Sequence, residues 1–325
     1  MREIEAIIEG TCVGFVYDKS IVSLWSSAER FNVRQLESEN VVRVTGQEKD
    51  FVAKTAAGIR GQHGVQVEKF FINSPHFAKR SQFMATMIGY TYDKVRDVYI
   101  TFYPYIGPDA MSLTEDNFFK EDHRNRWKFV EESRQGLQFL HANGITHCDV
   151  KLENFCLKGA DGNGDEREAF RFVMIDLELS QAIGNLKDIR RWGTTTHMPP
   201  EAFVNEEVTI SHAVDAFSWG VTLSNAFSGF APWVSAHTND TKYDRFRCID
   251  TANNADLIGA MQTTFFRHSM SRDEVAIVLA GMRHDPANRL RLDDSTLVAH
   301  VARCKADAHG AMELLSLSSR GENSA

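Results

Sequence analysis

The chain has 325 residues, 43% hydrophobic and 25% charged, the make-up of an ordinary soluble globular protein with room for about two domains. A formal net charge of -8 argues against a nucleic-acid binder driven by bulk electrostatics and leaves only local basic patches for such a role. No apolar run reaches membrane-spanning length and no signal-peptide pattern follows Met1; five cysteines (Cys12, Cys148, Cys156, Cys248, Cys304) without a CxxC pair speak against a zinc site or a disulfide scaffold.

In chain order, the first third is a series of β-branched and aromatic runs: "CVGFVYD", "RFNVRQL", "NVVRV", "DFVAKTA" and "DVYITFYPYI". "NVVRVTGQEKDFVAK" reads as a hairpin with Gly46 and Gln47 near its turn. "GIRGQHG", Gly58 to Gly64, reads as a flexible connector into a helix that opens near "VEKFF". "HRNRWKFVEESRQGLQFLHANG" has apolar residues at helical spacing and Gly144 as its stop. "GADGNGDERE" superficially suggests a calcium loop but has Glu166 at the turn position and Phe172 in place of the closing acid, so it reads as a surface loop. Helical periodicity dominates from about residue 210, and the tail "SLSSRGENSA" is small and polar, as fraying termini are. The expected class is α+β in two lobes, with an N-terminal extension (1–30), a β-rich N-lobe (31–106), a helical C-lobe (107–315) and a flexible tail (316–325).

The chemistry concentrates in "GITHCDVKLENF" and "FVMIDLELS". A loop with Asp149 and Asn154, followed by Asp176 at the end of an apolar run, is the residue set that magnesium-phosphate chemistry needs. One carboxylate orients a hydroxyl proton, while an amide oxygen and the other carboxylate hold the metal. Lys54, on the strand "FVAK", supplies the cation for phosphate oxygens. Against each stands a plain alternative: a strand lysine is often a solvated edge residue, and a loop aspartate a turn former.

Taken together these segments resemble the protein kinase family. "FVAK" is similar to its strand-lysine motif, "HCDVKLEN" to its catalytic loop, and "DLE" stands where the metal-binding Asp-Phe-Gly would be. "GTTTHMPPE", "DAFSWG" and "DPANRL" follow in the family's order, across residues 31 to 300. The resemblance implies a bilobal fold, Mg-ATP as cofactor if the chain is active and none otherwise, and a protein substrate or partner. Asp149 would be the proton acceptor, Lys151 its serine/threonine-type companion, and Thr194 a buttress of Asp149. Asn154 and Asp176 would be the metal ligands and Lys54–Glu68 an ion pair. Ala53, Phe102, Tyr103, Tyr105 and Cys156 would line the nucleotide pocket, although Pro104 removes one backbone donor from the Tyr103–Tyr105 stretch. His147, Trp127, Trp219 and Trp233 read as packed residues, and Glu201 with Arg289 as a structural pair. The platform motifs "PPE", "DAFSWG" and "DPANRL" argue against a small-molecule phosphotransferase of the aminoglycoside type.

Four departures stand out. The connector between "RFNVRQL" and "NVVRV" is "ESEN", with Glu37 and Glu39 where glycines would let backbone amides approach phosphate; "GTCVG" at Gly10 lies too far before Lys54 to replace them. Cys148 replaces the arginine of His-Arg-Asp, so activation-segment phosphorylation is not expected to be the switch. Glu178 replaces the last glycine of the metal motif, and "GADGNGDERE" lengthens the chain before it. A carboxylate a few ångströms from a phosphate repels it by roughly 3 kcal/mol at an effective dielectric near 20, more than a hundredfold in affinity. A kinase-like chain without a glycine loop is similar to the with-no-Gly-loop (WNG) kinases of coccidian parasites, a family that includes a bradyzoite pseudokinase. That likeness implies secretion into a parasitophorous vacuole or cyst wall, association with proteins of vacuolar membranes, and a pseudokinase slightly ahead of an active Ser/Thr kinase.

Overall fold

The computed structural model describes side chains for residues 51–71, 82–94, 97–159, 170–186, 193–204, 207–252 and 256–308, and backbone alone for the strands before residue 51 and for residues 72, 187 and 309–321. The chain divides into two compact units: Met1–Gly107 with Ile175–Ser180, and Pro108–Met174 with Gln181–Ala325. Segment 175–180 thus belongs to the strand-rich unit, although it follows the catalytic-loop sequence in the chain.

In the first unit, β1 (Arg2–Ile8), β2 (Thr11–Asp18) and β3 (Ile21–Ser26) form one antiparallel sheet. A second, five-stranded antiparallel sheet has the order β4 (Asn32–Gln35), β5 (Val41–Thr45), β6 (Asp50–Ala57), β8 (Val98–Pro104), β7 (Gly89–Asp93). Gly14 lies in β2 of the first sheet, not in the sheet that carries Lys54. The expected hairpin is β5 on β6, with Val41 opposite Lys54; its turn residues Gly46 and Gln47 lie outside the described residues, as do Glu37 and Glu39 and the loop 160–169. In β8 the β-branched and aromatic side chains alternate as strand geometry requires, burying Ile100 and Phe102.

The expectation for "GIRGQHG" is corrected. It is not a connector: α1 runs Gly58–Ile72 and takes the whole segment into its first two turns. The glycines serve close approach instead. A Cβ on Gly61 would meet the carbonyl oxygen of Ala56 at 2.4 Å, and one on Gly64 would meet Glu178 Cγ at 3.3 Å. Tertiary contact thereby overrides their weak helix propensity.

In the second unit, α2 (Ala110–Glu115) precedes the expected amphipathic helix α3 (His123–Ala142), which starts on Asp122 as N-cap. It ends at Asn143 and at Gly144, whose φ of +75° suits glycine. The buried face of α3 includes Trp127, Phe129, Val130, Leu137 and Leu140. Short strands follow: β9 (Ile145–Thr146), β10 (Phe155–Gly159) paired with β11 (Phe170–Met174), and β12 (Gln181–Ala182) paired with β9. Helix α4 (His212–Ser228) is buried at every residue from Val214 to Phe227, which makes it the core of the unit. Helix α6 (Arg272–Gly281) packs against it, α7 (Ser295–Gly321) packs against α3 and α6, and α5 (Thr241–Thr251) packs its Tyr243 against Trp233; α7 continues into the stretch expected as a tail. The tryptophans expected as core are buried, and Trp219 Nε1 donates to Ser133 Oγ at 2.9 Å. Among the described residues, no helix is long and apolar enough to cross a membrane.

Candidate functional site

In the strand-rich unit the site is built around Lys54. Its place on β6, opposite Val41 and Thr101, fixes its backbone in a sheet ladder. Lys54 Nζ lies 2.6 Å from Asp176 Oδ1 and 2.7 Å from Glu178 Oε2. Glu178 is buried and also takes the guanidinium of Arg60 from α1. The N–H of Glu178 donates to Asp176 Oδ1 at 3.3 Å, and Asp176 holds a left-handed φ of +66°, a conformation an aspartate tolerates better than most residues. Burial alone would lower the Lys54 pKa, but Asp176 and Glu178 more than offset it and hold the ammonium above its usual range.

The expected Lys54–Glu68 pair is corrected. Among the described residues, the ion-pair partners of Lys54 are Asp176 and Glu178. Glu68 is buried and accepts a long bond, 3.4 Å, from the Tyr103 hydroxyl. The extra acid at 178 supplies the second counter-charge that Glu68 was expected to give. Of the other residues expected around a nucleotide, Ala53 and Phe102 are buried opposite each other across β6 and β8; Tyr103 and Tyr105 are half-buried. Cys156 sits on β10 of the second unit, its thiol pushed up to about 12 by burial and then by Asp109.

In the helical unit the site is built around Asp149. Its Oδ1 accepts from the backbone N–H and the hydroxyl of Thr194, each at 2.9 Å. Lys151 Nζ lies 3.2 Å from Asp149 Oδ2 and donates to Thr194 Oγ1 at 2.9 Å. Asn154 Nδ2 donates to the Asp149 carbonyl at 2.7 Å and to Oδ2 at 3.3 Å. This leaves the amide oxygen of Asn154 as its ligand atom for a cation. Each unit thus carries an oxygen donor of the type Mg²⁺ takes, the Asn154 amide in this one and the Asp176 carboxylate in the strand-rich one.

The loop that carries Asp149 hangs on Asp215. The N–H groups of His147 and Cys148 donate to its two carboxylate oxygens at 2.8 and 2.9 Å, and His141 Nε2 lies 2.8 Å away. Burial alone would raise the Asp215 pKa; the contacts with His141 and the His147 amide hold it below its usual value. The anchor lets Cys148 keep a φ of +65°, and the Cys148 thiol is raised well above its normal pKa by burial and by Asp215. His147 is fully buried, with Nδ1 accepting from the Asp149 N–H at 3.2 Å, a packed residue as expected. Arg289 grips Glu201 through two parallel bonds of 2.7 and 2.8 Å, also as expected.

Three side chains escaped the sequence reading. Asp215 was seen only as part of a motif; a lone acid inside the apolar run "AVDAFSWGVTL" is the signal that could have marked it as a buried acceptor. Arg60 was hidden in the misread glycine segment. His197 borders a small cleft shared with Asp149, Thr194 and Met198. It is buried, its Nε2 has no hydrogen-bond partner among the described residues, and burial pushes its pKa down to about 4.

A strand-rich unit with an ion-paired lysine, and a helical unit with a braced loop aspartate and a two-bond Glu–Arg pair, define the protein kinase fold. Residues 78–300 match the family described as Protein kinase domain, and the chain belongs to that family. It is similar to an Aurora kinase of Saccharomyces cerevisiae, 24% identical over 180 residues, covering 54% of this chain and 42% of that protein. It is also similar to the serine/threonine-protein kinase PknD of Mycobacterium tuberculosis, 27% identical over 199 residues, 60% of this chain and 26% of that protein. Serine/threonine-protein kinase 17A of Oryctolagus cuniculus is 27% identical over 146 residues, 45% of this chain and 33% of that protein. The chain thus spans less than half the length of these relatives. In fold it is similar to a chain of the crystal structure of the yeast RNA Pol II CTD kinase CTDK-1 complex. The TM-score is 0.62 at 15% identity, covering 82% of this chain and 91% of that one.

Proposed function

We propose that this chain is a pseudokinase: a kinase-fold protein whose nucleotide site is weakened and which works chiefly by binding protein partners. The observation that carries this reading is the position of Lys54 Nζ between Asp176 and Glu178. In the family the lysine is the phosphate cation. Here a phosphate must displace Glu178 or lie beside a buried carboxylate, a repulsion of about 4 kcal/mol for unit charges 4 Å apart at an effective dielectric near 20. Lys54 and Arg60 offset part of that. Glu37 and Glu39 in the connector add to it by their charge. The resemblance of the sequence to the WNG family, which includes a bradyzoite pseudokinase, supports a secreted protein of a parasite vacuole or cyst wall that meets proteins of vacuolar membranes.

A second reading, an active Ser/Thr kinase using Mg-ATP, is favoured by the Asp149 cluster. Thr194 holds Oδ1, and Lys151 bridges Asp149 and Thr194, so a hydroxyl arriving at Asp149 would meet an oriented acceptor beside a cation. The resemblance to the family assigns Asn154 and Asp176 to the Mg²⁺, which would neutralise the phosphate charge. The relatives described as serine/threonine-protein kinases support it too.

Thermal shift with millimolar Mg-ATP, followed by radiolabelled transfer to a generic protein substrate, separates the two. The first reading expects a flat response in the natural chain and a gained shift in Glu178→Gly. Clear stabilisation and transfer by the natural chain, both lost in Asp149→Ala or Asp176→Ala, would establish the second.

A further inference from the structure

Far along the chain from these clusters, helices α6 and α7 bring three unlike donors to one point. Cys304 is buried with Leu297 and Val301 on the inner stripe of α7. His300 precedes it by four residues, so the two side chains lie one above the other on the same helix. Asp273, in the first turn of α6, faces them: its Oδ1 is 3.4 Å from His300 Nε2. That Nε2 is itself buried and makes no hydrogen bond among the described residues. One carboxylate oxygen, one imidazole nitrogen and one sulfur lie within 4.8 Å of one another.

The plain alternative is a surface ion-pair cluster, since Arg303 Nη2 donates to Asp273 Oδ1 at 3.1 Å and to His300 Nδ1 at 2.9 Å. That cluster accounts for the carboxylate. It gives the buried Nε2 a charged neighbour but no hydrogen bond, and it does not call for a thiol turned to the same point. We infer that Asp273, His300 and Cys304 are three protein ligands of a zinc-type divalent ion, with a fourth position left to water. A thiolate and an imidazole select such a borderline ion over Mg²⁺ or Ca²⁺. The cysteine-pair rule that spoke against zinc in the sequence misses this site because its ligands are His-x3-Cys on one helix and an aspartate on another.

Binding releases the thiol proton to solvent, so affinity rises with pH. With the metal on Nε2 the imidazole keeps its proton on Nδ1, and the exposed Arg303 side chain moves off that atom. The ion would fasten α7 to α6.

The test is a cadmium titration of the full chain, read by the ultraviolet thiolate-to-metal band, with a zinc affinity from competition against a chromophoric chelator. The band is expected to saturate at one equivalent and to vanish in Cys304→Ser. Because Cys304 is buried, His300→Ala and Asp273→Asn give an independent reading at more accessible positions; each should weaken zinc binding by roughly tenfold or more. No saturable band, a full band in Cys304→Ser, or zinc affinity unchanged in both other variants would overturn the site.

Discussion

The two clusters that the kinase fold uses are held by different forces. Around Asp149 most partners are hydrogen-bond donors in fixed positions: a backbone amide, a hydroxyl, a side-chain amide and one ammonium. Around Lys54 the partners are charges, with two carboxylates sharing one ammonium and Arg60 joining the second carboxylate. A network of directional bonds is lost when one member goes, because buried groups are left unpaired. A cluster of charges can exchange partners: Glu178, standing where the family has a glycine, supplies the lysine with a counter-charge and leaves Glu68 to Tyr103. Substitutions that strike each kind of cluster should therefore differ in size, and the contrast can be broken at either end.

The largest effect is expected at Asp215. Asp215→Ala strips the acceptor from two backbone amides and from His141, all buried, and should cost roughly 3–5 kcal/mol in chemical denaturation. A loss under about 1 kcal/mol would mean that the Asp149 loop keeps its shape without a hydrogen-bonded anchor, and the contrast drawn above would fail.

Next comes the glycine seam behind Lys54. Gly61→Ala would place a methyl 2.4 Å from the Ala56 carbonyl oxygen, so α1 must shift; a cost of about 1–3 kcal/mol is expected. Gly64→Ala meets only Glu178 Cγ at 3.3 Å and should cost less, and the order of the two denaturation midpoints checks the packing. Stabilisation by Gly61→Ala, as helix propensity alone would give, would show that α1 does not lie against β6 in this way.

That seam also marks where sequence reading ran short. Strands β2, β4, β5, β6 and β8, helix α3 and the catalytic-loop motif were legible because local patterns carry them: β-branched and aromatic runs, an apolar stripe ending at Gly144, and Asp149 to Asn154 in one short segment; β1, β3 and β7 were not read. The helix of "GIRGQHG" was not legible, because three glycines in seven residues signal a loop locally and only contacts with Ala56 and Glu178 make sense of them. The partner of Lys54 was misjudged for a related reason. The family pattern names a helix glutamate, whereas the observed choice depends on Glu178, which follows Lys54 by 124 positions. Thr194 and Asp149 were paired correctly because both sit in motifs whose order alone relates them.

The third effect belongs to His197 and depends on pH. Its folded pKa is about 4 against 6.5 for the free side chain, so between those values the unfolded chain binds a proton that the folded chain refuses. Stability is full above pH 6.5 and falls as pH drops toward 4, by about 2 kcal/mol between pH 7 and pH 5. Burial lowers the pKa of His212 and His284 as well, so the quantity to read is the difference between the natural chain and His197→Gln. Asp215, with a lowered pKa, gives up stability only below its unfolded value of 3.8, outside this window. Equal pH slopes for the two proteins would show that His197 is open to solvent protons.

The smallest effect is at Arg60, and it sharpens the contrast most directly. Its side chain is 59% exposed, so Arg60→Ala should cost less than about 1 kcal/mol. Glu178 is buried and would then depend on Lys54 alone. The lysine becomes harder to draw toward a phosphate, and any response to nucleotide should weaken in Arg60→Ala and strengthen in Glu178→Gly. Thermal shifts of the two variants measured side by side with Mg-ATP give the comparison its sign. If Arg60→Ala gains nucleotide response, the arginine, not the glutamate, is the group that holds Lys54 away from its family role.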